Sequence, residues 1–490
     1  METARRAHYQ VTFVVLALGV GAFALLQSLV MPVLPTIQES LGTSQTDVTW
    51  VLTAYLLSAS IFTPIMGRLG DMHGKKRLFV IALVALGVGS LLAALATSLS
   101  VMIVARAIQG IGGGVLPLAF GIIRDEFPGE KVPGAVGIIA ALTAVGAGLG
   151  IVFAGPIVDV LSYHWLFWIP LVMIAIGAAA AYFLIPESQN RNEGKVNWAT
   201  ALLLSGWLVA LLLAVSQAPS WGWGSPKVLG LLVAAVIILV TWVVAETRSA
   251  NPLIDMKMMR IRTVWAANLV ALLMGVGMYA NFGFLPQFLQ TPTSAGYGFG
   301  ASVTRSGLML LPMTVGMFLL GLASGPLAAR FGSKNVLFAG SLIGAVGYFM
   351  LAFLHDYEID IYIAMAIIGI GFGVAFSAMS NVVVAAVSPA QTGVASGMNA
   401  NIRTIGGSLG AAFMASVISI GAAPSGLPKE SGYTNGFVML GIAVALAAFA
   451  ALFIPAIARN RDSRLEDPAE LAHGELALVA GGTVVGDESE

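Results

Sequence analysis

The 490-residue chain contains no cysteine. Disulfides, thiolate nucleophiles and cysteine metal sites are therefore excluded. Charge is scarce as well: Asp, Glu, Lys and Arg make up 10% of residues, against about 25% in a soluble domain. The formal net charge is +0, which offers nothing to a nucleic-acid partner. The histidines (His8, His73, His164, His355 and His473) all fall in loops, tails or rims of the apolar runs, so a relay through a mid-membrane imidazole is excluded. Of the 24 carboxylates none stands centrally in an apolar run; Asp47, Asp159 and Glu246 stand at run ends. No HExxH, GxSxG or GxxxxGK[ST] pattern occurs, so no zinc protease, serine hydrolase or P-loop enzyme is expected. Neither a bound cofactor nor a metal is expected.

What the chain has is apolar surface: 58% of its residues are hydrophobic. A helix crossing lipid needs about 20 mostly apolar residues. Fourteen stretches qualify, near 11–34, 47–66, 78–97, 100–122, 134–156, 165–185, 199–217, 228–246, 264–289, 304–326, 335–354, 361–385, 393–420 and 436–457. Backbone groups in lipid must be paired within their own segment, so every span is a helix. The fold class is an all-α integral membrane protein. The start, METARRAHYQ, is short and basic with no small-residue cleavage site after the first apolar run; that run is read as a retained span. With the N-terminus inside, 19 of the 24 Lys and Arg residues fall in inner loops and tails, 3 fall outside, and Arg106 and Arg403 lie within runs. This bias puts both termini on the cytoplasmic side of the cell membrane.

The spans group as six, two and six. Residues 1–10 form a cytoplasmic start, 11–185 a six-helix bundle, 186–262 a linker with two extra helices, and 263–457 a second six-helix bundle. Residues 458–490 carry eight carboxylates and are expected to be a disordered cytoplasmic tail. A weak repeat relates the two bundles. GPLAARFGSK at 325–334 matches GRLGDMHGKK at 67–76 at Gly, Leu, Gly and Lys, with Ala329 where the first copy has Asp71. Such repeats accompany a substrate site between two halves at mid-membrane.

GRLGDMHGKKR, 67–77, reads as a charged turn between two apolar helices. RAIQGIGGG at 106–114, GAGLGIVFAGP at 146–156 and VASGMNANIRTIGGSLG at 394–410 complete a set of four motifs in order. Together they resemble the major facilitator superfamily, and more narrowly its fourteen-span drug:proton antiporters of the multidrug efflux type, over about residues 8–458. The resemblance implies a 6+2+6 major facilitator fold and secondary active export of hydrophobic drugs or other small organic compounds. It further implies alternating access driven by proton antiport, with the proton gradient as energy source. The expected partners are a small hydrophobic substrate, protons and the lipid bilayer, and the expected state is a monomer. Two positions depart from the family pattern. Leu26, with Gln27 beside it, stands where helix 1 usually carries an acid, and Val158-Asp159 replaces the usual Gly-Gly after Gly155-Pro156.

Gly67, Asp71, Gly74, Lys75 and Arg77, with Arg124 and Asp125 at the end of helix 4, form a candidate conformational latch; the plainer reading is topological positive charge alone. Arg106 sits inside helix 4 with Gln109 three residues on, hence on one face. A guanidinium in lipid costs at least ~2.5–3.5 kcal/mol, so Arg106 faces protein or water. It serves either proton coupling and polar contact with substrate or a structural anchor. Asp159 is a rim protonation candidate or a solvated end residue. Gly146, Gly150, Gly155 and Pro156 in helix 5 supply either a rocking contact between the bundles or simple close packing. The candidate substrate cavity takes Gln27, Ser28, Trp50, Tyr55, Tyr279, Asn281, Phe282, Phe284, Ser377, Asn381, Asn399 and Arg403. Methionines such as Met274, Met278, Met379 and Met398 would add adaptable surface. Two buried arginines without buried acids keep a second reading open: a dedicated exporter of one metabolite or antibiotic, possibly anionic in charge. A proton-coupled uptake symporter is a third.

Overall fold

The computed structural model describes residues 2–43, 45–48, 50–187, 197–249, 252–388, 391–419 and 428–455. The tail expected to be disordered, 458–490, lies outside them. Among the described residues, fourteen helices are long and apolar enough to cross a membrane. They are α1 (Tyr9–Val33), α2 (Trp50–His73), α3 (Lys75–Ala94), α4 (Leu99–Glu126), α5 (Gly129–Val160), α6 (Trp165–Leu184), α7 (Trp198–Trp221), α8 (Pro226–Arg248), α9 (Arg262–Gln290), α10 (Val303–Phe331), α11 (Ser333–Phe353), α12 (Glu358–Ala386), α13 (Thr392–Ser419) and α14 (Glu430–Ala451). Polar residues flank the apolar runs and start several of these helices. Ser98 accepts from the Val101 amide. Asn197 accepts from Ala199 at 3.1 Å and Thr200 at 3.3 Å, and Ser225 accepts from Val228. Each satisfies an amide that the first helical turn leaves unpaired.

Two large apolar cores form, beside a small cluster of Ala214, Ala218 and Val228 between α7 and α8. One is built from α1–α6. The other is built from α9–α14 and also takes in Leu204, Leu208 and Leu212 of α7 and Trp242 of α8. The extra pair α7–α8 is thus fastened to the second half. Trp223, in the turn between them, donates to Ser416 Oγ at 2.7 Å and stacks on Phe413. At the other end Glu246 Oε2 accepts from the Leu253 amide at 2.9 Å. Of the most apolar window of α8 only 17% is buried, against 67% for α9, so α8 turns its flank to lipid while α7 packs against both α2 and α13.

The two halves meet along α2–α13 and α5–α10. The segment 67–77 is not the loop that its charge suggested. Helix α2 continues through Asp71 to His73, α3 begins at Lys75, and the turn is one residue, Gly74, at φ +108°. Only glycine takes that φ without strain. Gly67 and Gly70 stay helical because each is a contact point. A methyl group on Gly67 would stand 2.7 Å from the Gly393 carbonyl oxygen, and one on Gly70 would strike Leu118.

Candidate functional site

A cavity of about 1040 Å³, counting the open solvent at its mouth, lies between the two halves. Helices α1, α2, α4 and α5 line it from the first half, and α9, α12 and α13 from the second. Its wall is aromatic and aliphatic: Phe23, Met31, Tyr55, Met278, Tyr279, Phe282 and Phe376. Gln27 donates to Tyr279 Oη at 3.3 Å, a hydrogen bond that crosses from one half to the other. The hydroxyls of Thr63, Thr143, Ser380 and Thr404 donate to carbonyls four residues back in their own helices. Arg403 is the one charged residue in the wall, its guanidinium 5.2 Å from the centre of the Phe376 ring. A smaller recess continues from it between Arg403, Ser396 and Asn399.

One end of the bundle carries Arg68, Lys75, Lys76, Arg77 and Arg124, and is called here the basic end. There Lys75 Nζ lies 2.7 Å from Asp125 Oδ2 and 3.7 Å from Asp71 Oδ1, with all three side chains at most 3% exposed. These ion pairs stay inside the first half. The contacts that cross are of charge with helix ends. The Asp71 carboxylate faces the first turn of α13, where a methyl group on Gly393 would sit 3.0 Å and 3.1 Å from its two oxygens. Arg124 donates to the Val384 carbonyl, to the Val387 carbonyl at 2.7 Å and to Thr392 Oγ1 at 2.8 Å. An anion at a helix N-terminus and a cation at a helix C-terminus are each favourable. The first half thus presents Asp71 to the start of α13 and Arg124 to the end of α12. Arg77, itself exposed, pairs with half-buried Glu187 at 3.4 Å, and a pair open to solvent on one side is worth ~0–1 kcal/mol.

Arg106 is fully buried behind the cavity wall. Its Nε donates to the Val51 carbonyl at 3.1 Å and its Nη1 to Gln109 Oε1 at 2.7 Å. Gln109 in turn donates to Ser90 at 3.2 Å. The guanidinium carbon stands 4.3 Å from the centre of the Tyr55 ring, whose edge lines the cavity. The α5 glycines divide between two faces. Methyl groups on Gly146 and Gly150 would strike Ala24 and Ser28 of α1, in the same half. Gly148 and Gly155 face Thr314 and Thr304 of α10, across the divide. At the end opposite the basic one, Asp159 Oδ2 accepts from Thr304 Oγ1 at 2.6 Å, which also crosses between halves.

A profile of the Major Facilitator Superfamily matches residues 16–411 and 267–477. The chain belongs to the major facilitator superfamily. It is 30% identical over 395 residues, 79% of this chain and 71% of the relative, to the multidrug transporter protein MdtP of Bacillus subtilis. It is 31% identical over 444 residues, 88% and 90% of the two chains, to the cephamycin export protein CmcT of Amycolatopsis lactamdurans. In fold it is similar to the human organic anion transporter MFSD10, with a TM-score of 0.65 at 17% identity over 90% of this chain and 99% of that one. This facilitator is a multi-pass membrane transporter with drug- and antibiotic-exporting relatives, not an enzyme.

Within this facilitator, Gln27, Ser28, Tyr55, Tyr279, Phe282 and Arg403 come together at the cavity as the sequence suggested. Trp50, Asn281, Phe284, Ser377 and Asn381 do not line it. Asn281 is fully buried inside the second half, its amide against Met313 Sδ at 3.7 Å and Met365 Sδ at 3.9 Å. Ser377 accepts from Ser324 Oγ of α10 and faces Gly137 of α5. Asn381 also faces Gly137, and Asn399 donates to Asn268 at 3.0 Å on the edge of the smaller recess. Of the α5 glycines considered for a contact between the bundles, Gly148 and Gly155 meet the other half and Gly146 and Gly150 pack within their own, because helical rotation turns them to opposite neighbours. Residues the sequence reading passed over include Phe23, Thr143, Phe376, Thr404 and Glu187. One signal for α5 was available: Ala140, Thr143, Ala147 and Ile151 share a face at i+3 and i+4 spacing.

Proposed function

We propose that this facilitator exports hydrophobic small organic compounds from the cytoplasm by alternating access, exchanging them for protons. The observation that carries this reading is the placement of one aromatic cavity between two halves, with its basic end held shut by Asp71 and Arg124 against the ends of α12 and α13. Contacts of this kind break as a unit when one half tilts, which is what rocking around a central site requires. Thioethers and aromatic rings make a wall that repacks around different bodies. In this reading the basic end is cytoplasmic, both termini lie on that side of the cell membrane, the working unit is a monomer, and no cofactor takes part. The names of MdtP and CmcT support export as the direction.

The test is uptake of a neutral hydrophobic dye into everted vesicles containing the protein, with the pH gradient imposed and then collapsed by nigericin. The reading expects uptake that stops on collapse. Uptake that persists without any ion gradient contradicts proton exchange, and accumulation in right-side-out vesicles contradicts export. Arg403 supports a second reading, a dedicated exporter of one antibiotic or metabolite: a panel in which a single compound is carried would favour it.

A further inference from the structure

Arg403 stands in the cavity wall with no ion pair and no hydrogen bond to its guanidinium among the described residues, and its Nε is buried without a partner. Tyr55 of α2 lines the same cavity from the first half; it is 2% exposed, and its Oη is buried without a hydrogen-bond partner. The wall contains no Asp, Glu or Lys. Of its other hydroxyls, those of Ser28, Thr63, Thr143, Ser380 and Thr404 donate to main-chain carbonyls, and Tyr279 Oη accepts from Gln27. Behind Tyr55 a second guanidinium, Arg106, keeps one nitrogen unpaired as well. Arg403 is half-buried, and a cation partly withdrawn from water without a counter-charge is costly. The cavity wall thus combines an apolar lining with an unpaired guanidinium from one half and an unpaired hydroxyl from the other.

Resting on the export reading above, we propose that the transported compounds are amphiphilic organic acids: an aromatic or aliphatic body seated among Phe23, Phe282 and Phe376, with a carboxylate that pairs with Arg403 and accepts from Tyr55 Oη. A bound carboxylate supplies the counter-charge that the protein withholds, and it is gripped from both halves at once, Tyr55 from the first and Arg403 from the second. A quaternary ammonium of the same body would bring like charge to the guanidinium and leave both donors unpaired. The cavity therefore selects by charge at one point while remaining tolerant of the body's shape. A dedicated and a promiscuous exporter can both use this arrangement.

Three probes with one body separate the terms: pyrenebutyrate, pyrenebutanol and pyrenebutyltrimethylammonium. Binding is measured by equilibrium dialysis on the purified full chain in nanodiscs, and energised uptake in everted vesicles. Hydrogen bonds to a charged group imply that the acid binds the wild type at least about tenfold more tightly than the ammonium. In Arg403→Gln the gap collapses while pyrenebutanol binding persists, which shows that the cavity is intact. Arg403→Lys restores part of the preference, and Tyr55→Phe weakens the acid alone, by about three- to tenfold for one lost donor. An unchanged gap in Arg403→Gln, or an ammonium that binds more tightly than the acid, overturns the proposal. Should Arg403→Gln not fold, Tyr55→Phe decides: equal losses for acid and alcohol overturn it. Tight acid binding without energised uptake of any probe would instead contradict export and leave the anion site standing.

Discussion

The two halves carry the same hairpin in two states of use. In each, a long helix ends one residue before a glycine at positive φ, Gly74 at +108° and Gly332 at +84°, and the next helix starts at once. In each, a glycine one and a half to two turns earlier faces a glycine in the first turn of a helix of the other half. The first pair is tight: a methyl group on Gly67 would lie 2.7 Å from the Gly393 carbonyl oxygen. The second pair is loose: a methyl group on Gly325 would lie 4.0 Å from the Gly134 Cα. Around the first hairpin Asp71 and Lys75 are buried at 1% and 0% exposure. Around the second, Ala329 and Arg330 are exposed. The backbone device is duplicated, whereas the charge and the close approach belong to one copy. A glycine turn is therefore enough to build the hairpin; in the reading proposed above, the buried Asp71 carboxylate facing α13 is what makes the first copy a seal.

Substitutions should separate the copies in order of effect. The largest belongs to Asp125→Asn, which takes away the partner 2.7 Å from fully buried Lys75; breaking a buried pair costs about 3–5 kcal/mol. The variant is expected to unfold at a markedly lower temperature in detergent, and a thermal midpoint equal to wild type would contradict the burial of this pair. Next comes Gly67→Val set against Gly325→Val. Overpacking costs about 1–3 kcal/mol, so the first should lower transport by about tenfold or more, while the second, where an added methyl group meets only the Gly134 Cα at 4.0 Å, stays within about twofold. Equal losses in the two would erase the distinction between the hairpins. Smallest is Ala329→Asp. Restoring the acid to an exposed helix end should shift stability by less than about 0.5 kcal/mol and leave the transport rate in place; a clear gain would mean that the second hairpin also seals.

Much of the architecture was legible because lipid leaves few choices. An apolar run of sufficient length must be a helix, and Lys and Arg placement tied the fourteen runs to a consistent topology. Arg403 was legible for a related reason: a cation in an apolar run has to turn toward protein or a cavity. The rest of the cavity was not, because a polar side chain in a membrane helix has several ways to be satisfied. Asn281 settles among methionines inside one half, Ser377 bonds to Ser324, and neither reaches the cavity. Phe376 and Phe23 do reach it, yet nothing in an all-apolar helix marks the face that turns inward. The seal was half legible. The charges of 67–77 and Arg124 were plain, but the helix ends that Asp71 and Arg124 meet, Gly393 at the start of α13 and Val384 and Val387 at the end of α12, lie some 300 residues away and carry no charge of their own.

That contact is also the most direct place to test alternating access here. The chain has no native cysteine, so spin labels can be placed on His73→Cys in the first half and Ser388→Cys in the second, both exposed at the basic end, and their separation measured by double electron–electron resonance in nanodiscs. If Asp71 holds the halves together through the first turn of α13, the otherwise native pair gives one short distance and Asp71→Asn adds or shifts to a longer one. A distribution that does not change on Asp71→Asn would contradict the seal and, with it, the rocking of one half against the other about this point.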